Sequence, residues 1–286
     1  MRVAITGSHG FVGSHLLEAI QGIPGHTITR LERQIHNLAQ VETLRPLVAD
    51  QDIIFHLAGA NRASSCELLM VNTVGTLNLV EAIERYGKGA RLVFLSSFQV
   101  YRPSQDLRPM DEEWPQEPVS VYGISKLAAE RLINISGVKG LIFRASNIYG
   151  PRCRPYYNSV IATFLHLAVK GEPLVIEGSG RQARDFIYVG DVVAALIKAL
   201  TLDWDGVKIY NLCSGHLTSV NELVRAIEEV SGHPVATVHH PPSRDEEITF
   251  LLGDNTKARE ELSWSPKTGL LEGLRETYQW FLKEGS

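Results

Sequence analysis

The chain is expected to fold as an α/β protein of Rossmann type, a doubly wound parallel sheet followed by a smaller C-terminal region. Three observations lead there. Apolar runs of strand length alternate with longer amphipathic stretches through the first half. A glycine-rich turn, Thr6-Gly-Ser-His-Gly-Phe-Val-Gly, follows the first apolar run at once. Beyond Gly150 the punctuation thickens, with Pro151, Pro155, Gly171, Pro173, Gly178 and Gly180 in quick succession.

Residues 3–6 read as a strand and 11–20 as the helix that follows it, with a second strand over 27–31. Residues 52–58 are almost continuously apolar, the pattern of a strand buried on both faces. Val71, Val74, Leu77 and Val80 recur at helical spacing, so a helix is expected over 70–86. A buried strand over 91–96, a helix over 122–135 and a strand over 140–145 continue the alternation. Such alternation implies right-handed crossovers and therefore a parallel sheet. The division is expected at residue 150, giving units 1–150 and 151–286, with a strand near 208–213 returning to the main sheet. Helices are expected over 221–231 and 270–282.

With 286 residues, 44% hydrophobic and 21% charged, the chain can bury a full core as one large domain or two interlocked ones. Its first residues enter an apolar strand directly, which argues against a secretory leader. No apolar run is expected to cross a membrane. The three cysteines, Cys66, Cys153 and Cys213, are widely spaced and fit neither a disulfide framework nor a zinc pattern; a reducing, cytoplasmic setting follows. A net charge of −4 offers no general attraction for nucleic acid. The ten histidines lack metal-ligand spacing, so no metal is expected, and His239-His240 before Pro241-Pro242 reads as an exposed loop. Residues 102–118, with Asp111, Glu112 and Glu113, read as a solvated loop. No Gly-x-Ser-x-Gly elbow supports hydrolase chemistry.

The glycine turn carries the first chemical signal. Gly7, Gly10 and Gly13 sit between a strand and a helix, where glycine lets the backbone approach a pyrophosphate at the helix N-terminus. Phe11 and Val12 complete that turn. Glu32, after the second strand, stands where an acid would bind an adenosine ribose and favours NAD, whereas Arg30 and Arg33 beside it would accept NADP. The second signal is Tyr122 and Lys126, four apart on one helix face. Tyrosine is a poor base at neutral pH, and a nearby ammonium favours its phenolate. Ser97 ends the preceding strand, where open α/β sheets place ligands, and its hydroxyl can bond a reacting oxygen.

These pieces, taken in order, resemble the extended short-chain dehydrogenase/reductases, specifically the nucleotide-sugar epimerase/dehydratase family. The matching segments are Gly7-x-x-Gly10-x-x-Gly13, His56-Leu57-Ala58-Gly59, Asn72-Thr-Val-Gly-Thr, Ser96-Ser97-Phe-Gln-Val-Tyr101 and Tyr122-Gly-Ile-Ser-Lys126. Further on stand Arg144-Ala-Ser-Asn147-Ile-Tyr-Gly-Pro151, Gly178-Ser-Gly-Arg-Gln-Ala-Arg184-Asp-Phe-Ile-Tyr-Val and Tyr210-Asn211-Leu212. The resemblance implies a dinucleotide-binding unit over 1–150 and a substrate-binding region over 151–286. It implies Ser97, Tyr122 and Lys126 as the catalytic triad, Lys126 also holding the nicotinamide ribose, and Leu57, Ala58 and Gly59 lining the cofactor. It places Asn147, Asn158, Arg184 and Arg244 on the diphosphate of a nucleotide-sugar substrate, a role that suits guanidinium geometry. It also implies a homodimer.

The chain departs from the family pattern in places. Asn37 replaces an aspartate near the adenine, the 58–72 segment is short, and the link from the second strand to Asp52 is short, as in 4-keto-sugar reductases. Phe98 and Gln99 stand where the 4,6-dehydratases carry an acidic pair, which argues against dehydration. The expected activity is NAD-dependent epimerisation of a nucleotide sugar. NADPH-dependent reduction of a 4-keto nucleotide sugar is the alternative, and a non-catalytic dinucleotide-binding regulator, which would have no use for the triad, is a third.

Overall fold

A computed structural model describes residues 1–32, 37–157, 159–241 and 250–284. The chain opens with β1 (Arg2–Thr6), α1 (Phe11–Gln21) and β2 (Thr27–Arg30); a 3-10 turn (Val41–Leu44) and the short α2 (Arg45–Val48) lead to β3 (Ile53–His56). One continuous helix follows, made of α3 (Ser65–Leu68), a π-helical segment (Leu69–Val74) and α4 (Gly75–Tyr86). Then come β4 (Arg91–Ser97), α5 (Val121–Ile135), β5 (Gly140–Ala145), β6 (Asn147–Tyr149), α6 (Val160–Lys170) and β7 (Leu174–Glu177). The remainder is β8 (Ala183–Tyr188), α7 (Val189–Lys198), β9 (Val207–Leu212), β10 (Leu217–Ser219), α8 (Val220–Ser231), β11 (Thr237–His240), α9 (Thr256–Leu262) and α10 (Leu270–Glu284).

Six strands form a parallel sheet in the order β2-β1-β3-β4-β5-β9. Alternate strand residues supply its two faces, as the pleat requires. Val3, Ile5, Phe55, Val93 and Phe143 point into a core shared with Leu16, Ile20, Val192 and Leu196 of α1 and α7. Ala4, Ile54, Leu92, Phe94 and Ile142 point the other way, onto Leu79, Ile83, Ala129 and Ile133 of α4 and α5. A separate core gathers α6, α8, α10 and β7 around Leu165, Leu223, Ile227 and Leu274. From β1 the chain turns one way to β2 and then returns past β1 to β3. Strand order reverses there, and ligands of open α/β sheets settle at that crevice.

Several local expectations are corrected. The helix expected from residue 70 begins at Ser65, where the Ser64 hydroxyl accepts from Glu67 N at 3.3 Å. Ser65–Tyr86 is 22 residues long and, by length and composition, apolar enough to cross a bilayer, so the chain does hold one such stretch. Within this fold it buries Leu79, Val80 and Ile83 against the sheet. His239 and His240 lie on exposed β11, paired in parallel with β7, rather than in a loop. The 102–118 stretch is only partly solvated: Met110 is fully buried and Glu112 is 7% exposed, its Oε1 accepting from Asn211 N at 2.7 Å.

Candidate active site

The glycine turn is shaped by contacts that no side chain would survive. Gly7 adopts φ +73°, and a Cβ there would meet Ala58 N at 2.6 Å; a Cβ on Gly13 would meet Gly7 O at 2.0 Å. Gly10 caps α1 without any side-chain hydrogen bond, and its own N–H returns to Gly7 O at 2.9 Å. The first-turn amides of α1 therefore face the cleft, with the positive end of the helix dipole behind them. A dinucleotide pyrophosphate fits this cradle on backbone geometry alone.

The cleft has a volume of about 1230 Å³, room for a dinucleotide and a second ligand together. Gly7, Gly10, Phe11, Val12 and Gly13 line it, as do Glu32, Leu57, Ala58 and Gly59. Ser97, Tyr122, Lys126 and Asn147 line it as well. Arg184 does not: it lies on β8, its Nη1 donates to Ala183 O at 2.7 Å, and burial lowers its guanidinium from the usual value. Arg33, Asn158 and Arg244 fall outside the described residues. Arg30 and Asn37 also border the cleft.

The triad comes from two elements. Ser97 is the last residue of β4, and its Oγ accepts from Gln99 N at 3.2 Å. Tyr122 and Lys126 lie in the first turns of α5, whose start is capped by the Ser120 hydroxyl, accepting from Gly123 N at 3.0 Å. Ser97 and Tyr122 line the cleft together, their hydroxyls close enough to act on each other. Burial nevertheless pushes the Tyr122 phenol up to about 12, with the Ser97 contact acting in the opposite direction. Burial brings Lys126 down to about 7, opposed by Glu130. The simple expectation of a lysine that lowers its tyrosine is thus incomplete: desolvation dominates both groups. Lys126 Nζ sits 4.1 Å from the centre of the Phe94 ring.

A neutral histidine braces the other side. His56 is fully buried, and desolvation holds it near 3. Thr76 Oγ1 donates to Asn72 O at 2.6 Å, so it accepts from His56 Nε2 at 3.0 Å. Nδ1 is then the acceptor for Thr6 Oγ1 at 2.7 Å, while Thr6 Oγ1 receives Ala58 N at 3.2 Å. Asn72, in the π-helical segment, exchanges two bonds with Ala60 and donates to Ser125 Oγ at 3.0 Å. A π turn at a functional site is common, and this one aims the amide at α5.

The sequence reading missed Asn61, Arg154 and Tyr157, which also line the cleft. Asn61 N donates to Tyr157 Oη at 3.3 Å, and Tyr157 acts to raise the Tyr122 phenol. Arg154 and Tyr157 belong to the segment that follows the short strand β6, which contains two non-glycine residues at positive φ, Arg152 at 67° and Tyr156 at 60°. The signal available was position: a cation in a loop just past a strand end. Among the described residues, no group of His, Cys, Asp or Glu could hold a metal.

Fold and site together define a dinucleotide-dependent enzyme of the short-chain dehydrogenase/reductase type. The chain belongs to the NAD dependent epimerase/dehydratase family, whose model matches residues 3–213. It is similar to a putative UDP-glucose 4-epimerase of Methanocaldococcus jannaschii, 31% identical over 97% of this chain and 97% of the relative. A UDP-N-acetyl-alpha-D-glucosaminuronate decarboxylase of Bacillus cytotoxicus is 31% identical over 98% of this chain and 97% of its own length. Among solved structures, MoeE5 in complex with UDP-glucose and NAD superposes with a TM-score of 0.86 at 30% identity, covering 100% of both chains.

Proposed function

We propose that this protein is an NAD-dependent epimerase of a nucleotide-linked sugar. The observation that carries the reading is the convergence of Ser97, Tyr122 and Lys126 with the uncapped glycine turn on one cleft of about 1230 Å³. In this reading residues 1–150 hold the dinucleotide and 151–286 supply much of the sugar-nucleotide site. Gly7 to Gly13 would hold the pyrophosphate of NAD and Glu32 its ribose, and the bound dinucleotide would supply a reversible hydride acceptor. Tyr122 Oη takes the proton of the sugar hydroxyl while that carbon is oxidised to a ketone. Ser97 Oγ hydrogen-bonds the same oxygen and acts on the Tyr122 phenol against the effect of burial. The keto-sugar then presents its other face, and Tyr122 returns the proton as the alcohol re-forms. Asn147 and Arg154 are the candidates for holding the nucleotide diphosphate.

Family membership and the UDP-sugar enzymes among the relatives support this reading. Arg30, beside Glu32 on the cleft, favours the second reading, an NADPH-dependent reductase of a 4-keto nucleotide sugar. As partners we infer a nucleotide-diphosphate sugar and a second copy of the chain, in the cytoplasm. A homodimer would cover Ile124 and Ile135, exposed at 48% and 79% on α5, and Met70, exposed at 49%; the free cysteines suit a reducing compartment.

The test incubates purified enzyme with UDP- and dTDP-linked hexoses and no added cofactor, resolving stereoisomers by NMR. Interconversion supports the epimerase. Silence there, with NADPH consumed on a 4-keto nucleotide sugar, transfers the case to the reductase, and release of CO₂ from a uronic acid substrate would make it a decarboxylase.

A further inference from the structure

The catalytic candidates come from β4 and α5, and one buried carboxylate joins those two elements beside them. Glu130 lies one helical turn beyond Lys126 and is 2% exposed. Its Oε1 accepts from the hydroxyl of Ser96, the immediate neighbour of Ser97. On its far side Arg144 of β5 clasps the carboxylate: Nε donates to Oε1 at 3.2 Å and to Oε2 at 3.1 Å, and Nη2 donates to Oε2 at 2.7 Å. Arg144 is itself 1% exposed and anchored, with Nη1 donating to Tyr101 Oη at 2.9 Å and to Glu112 O at 3.0 Å. The carboxylate therefore cannot rotate away from Ser96. A buried ion pair is poor evidence of a stabilising purpose, because desolvating two charges consumes most of their attraction. Its location is more informative than its existence.

We propose that Glu130, fixed by Arg144 and cross-linked to Ser96, is a positioning residue that sets Ser97 against Tyr122 and Lys126 and places a negative charge one turn from the Lys126 ammonium. This rests on the catalytic reading of those three residues given above. The surroundings of Lys126 leave Glu130 as its opposite charge. Glu130 acts on it from α5 and neutral His56 lies near it on β3, while β4 offers the Phe94 ring; Ser97, Tyr122 and Asn72 share its cleft without bringing a charge. Burial lowers Lys126 and Glu130 opposes that fall. Removing the carboxylate charge disfavours the ammonium, and the uncompensated Arg144 acts in the same direction.

The test compares intact wild-type enzyme with Ser96→Ala, Ser96→Thr and Glu130→Gln. Ser96→Ala removes the cross-link and leaves the ion pair, so kcat should fall about tenfold or more while KM and NAD affinity stay within about twofold. Ser96→Thr, which restores the hydroxyl, should recover most of the loss. In protein carrying 13C-labelled lysine, the Lys126 signal, assigned by its disappearance in Lys126→Met, should titrate at least about one pH unit lower in Glu130→Gln. The high-pH limb of activity should move with it. A Ser96→Ala enzyme with wild-type kcat, or a folded Glu130→Gln whose Lys126 titrates as in wild type, overturns the proposal. Should Glu130→Gln fail to fold, Ser96→Ala decides. An inactive wild type refutes the functional reading, and the lysine titration, which needs no turnover, still decides this one.

Discussion

Replacing Gly123 with alanine is expected to part Tyr122 from Ser97. A Cβ at position 123 would stand 2.2 Å from Gln99 O and 2.9 Å from Pro118 Cβ, where ordinary contact begins at 3.4 Å. The nearer obstacle is backbone, so no rotamer change relieves it. The first turn of α5 must retreat by roughly 1 Å, and a displacement of that size at a catalytic group costs about 10²-fold in rate, about 2.7 kcal/mol of barrier. Stability should change less. Overpacking costs about 1–3 kcal/mol, and alanine's better helix propensity returns about 1 kcal/mol. NAD affinity should fall less than kcat, because the glycine turn belongs to α1 and only the ribose contact of Lys126 rides on α5. The assay sets kcat by NMR of sugar isomers, NAD affinity by calorimetry and a thermal melt beside Gly269→Ala, where a new Cβ meets nothing within 4 Å. A folded Gly123→Ala enzyme with kcat within about twofold of wild type would refute the claim that this close approach sets the Ser97–Tyr122 geometry.

Tyr122→Phe should lower kcat by about 10²–10⁴ while sparing NAD affinity; near-normal turnover would move proton transfer to another group. Arg154→Ala should weaken sugar-nucleotide binding by about 1.5–3 kcal/mol, and Arg184→Ala by much less, since only Arg154 lines the cleft. Isothermal titration with UDP-glucose and dTDP-glucose compares them, and the opposite ranking would restore Arg184 to the substrate site. Lys126 binds its proton more weakly in the folded protein, at about 7, than an ordinary lysine does at 10.5. The unfolded chain thus holds more protons between those values, so this residue makes stability rise with pH across that window and contributes no slope below it. Denaturant melts from pH 6 to 10 should show a smaller rise in Lys126→Met; an identical rise would deny the depressed value.

What the sequence made legible was local. Val3 to Thr6, the Gly7-x-x-Gly10-x-x-Gly13 turn and the Tyr122/Lys126 pair carry their signals in period, backbone freedom and chemistry within a few residues, and each recurs in the structure at the expected element. What stayed hidden depends on distant partners. Glu112 reads as one of three acids in a polar loop, and its burial is offset chiefly by Asn211 N, on a strand about a hundred residues away. β6 and β10, three residues each, are too short to announce themselves, and both pair with β8 from separate parts of the chain. The π-helical segment was invisible for a similar reason: Leu69 to Val74 reads as ordinary helix until Asn72 is seen reaching Ala60 and Ser125.

The central claim is that one bound cofactor and one tyrosine oxidise and re-reduce the same sugar carbon. It is tested most directly by running the isomerisation in D₂O, with no added dinucleotide, and locating deuterium in the product. Oxidation and re-reduction on one bound cofactor remove and return the carbon-bound hydrogen within the site, so both isomers should keep protium at the reacting carbon through many turnovers. Deuterium accumulating at that carbon in step with inversion would mean that the proton is exchanged with solvent through an enol, and would contradict it.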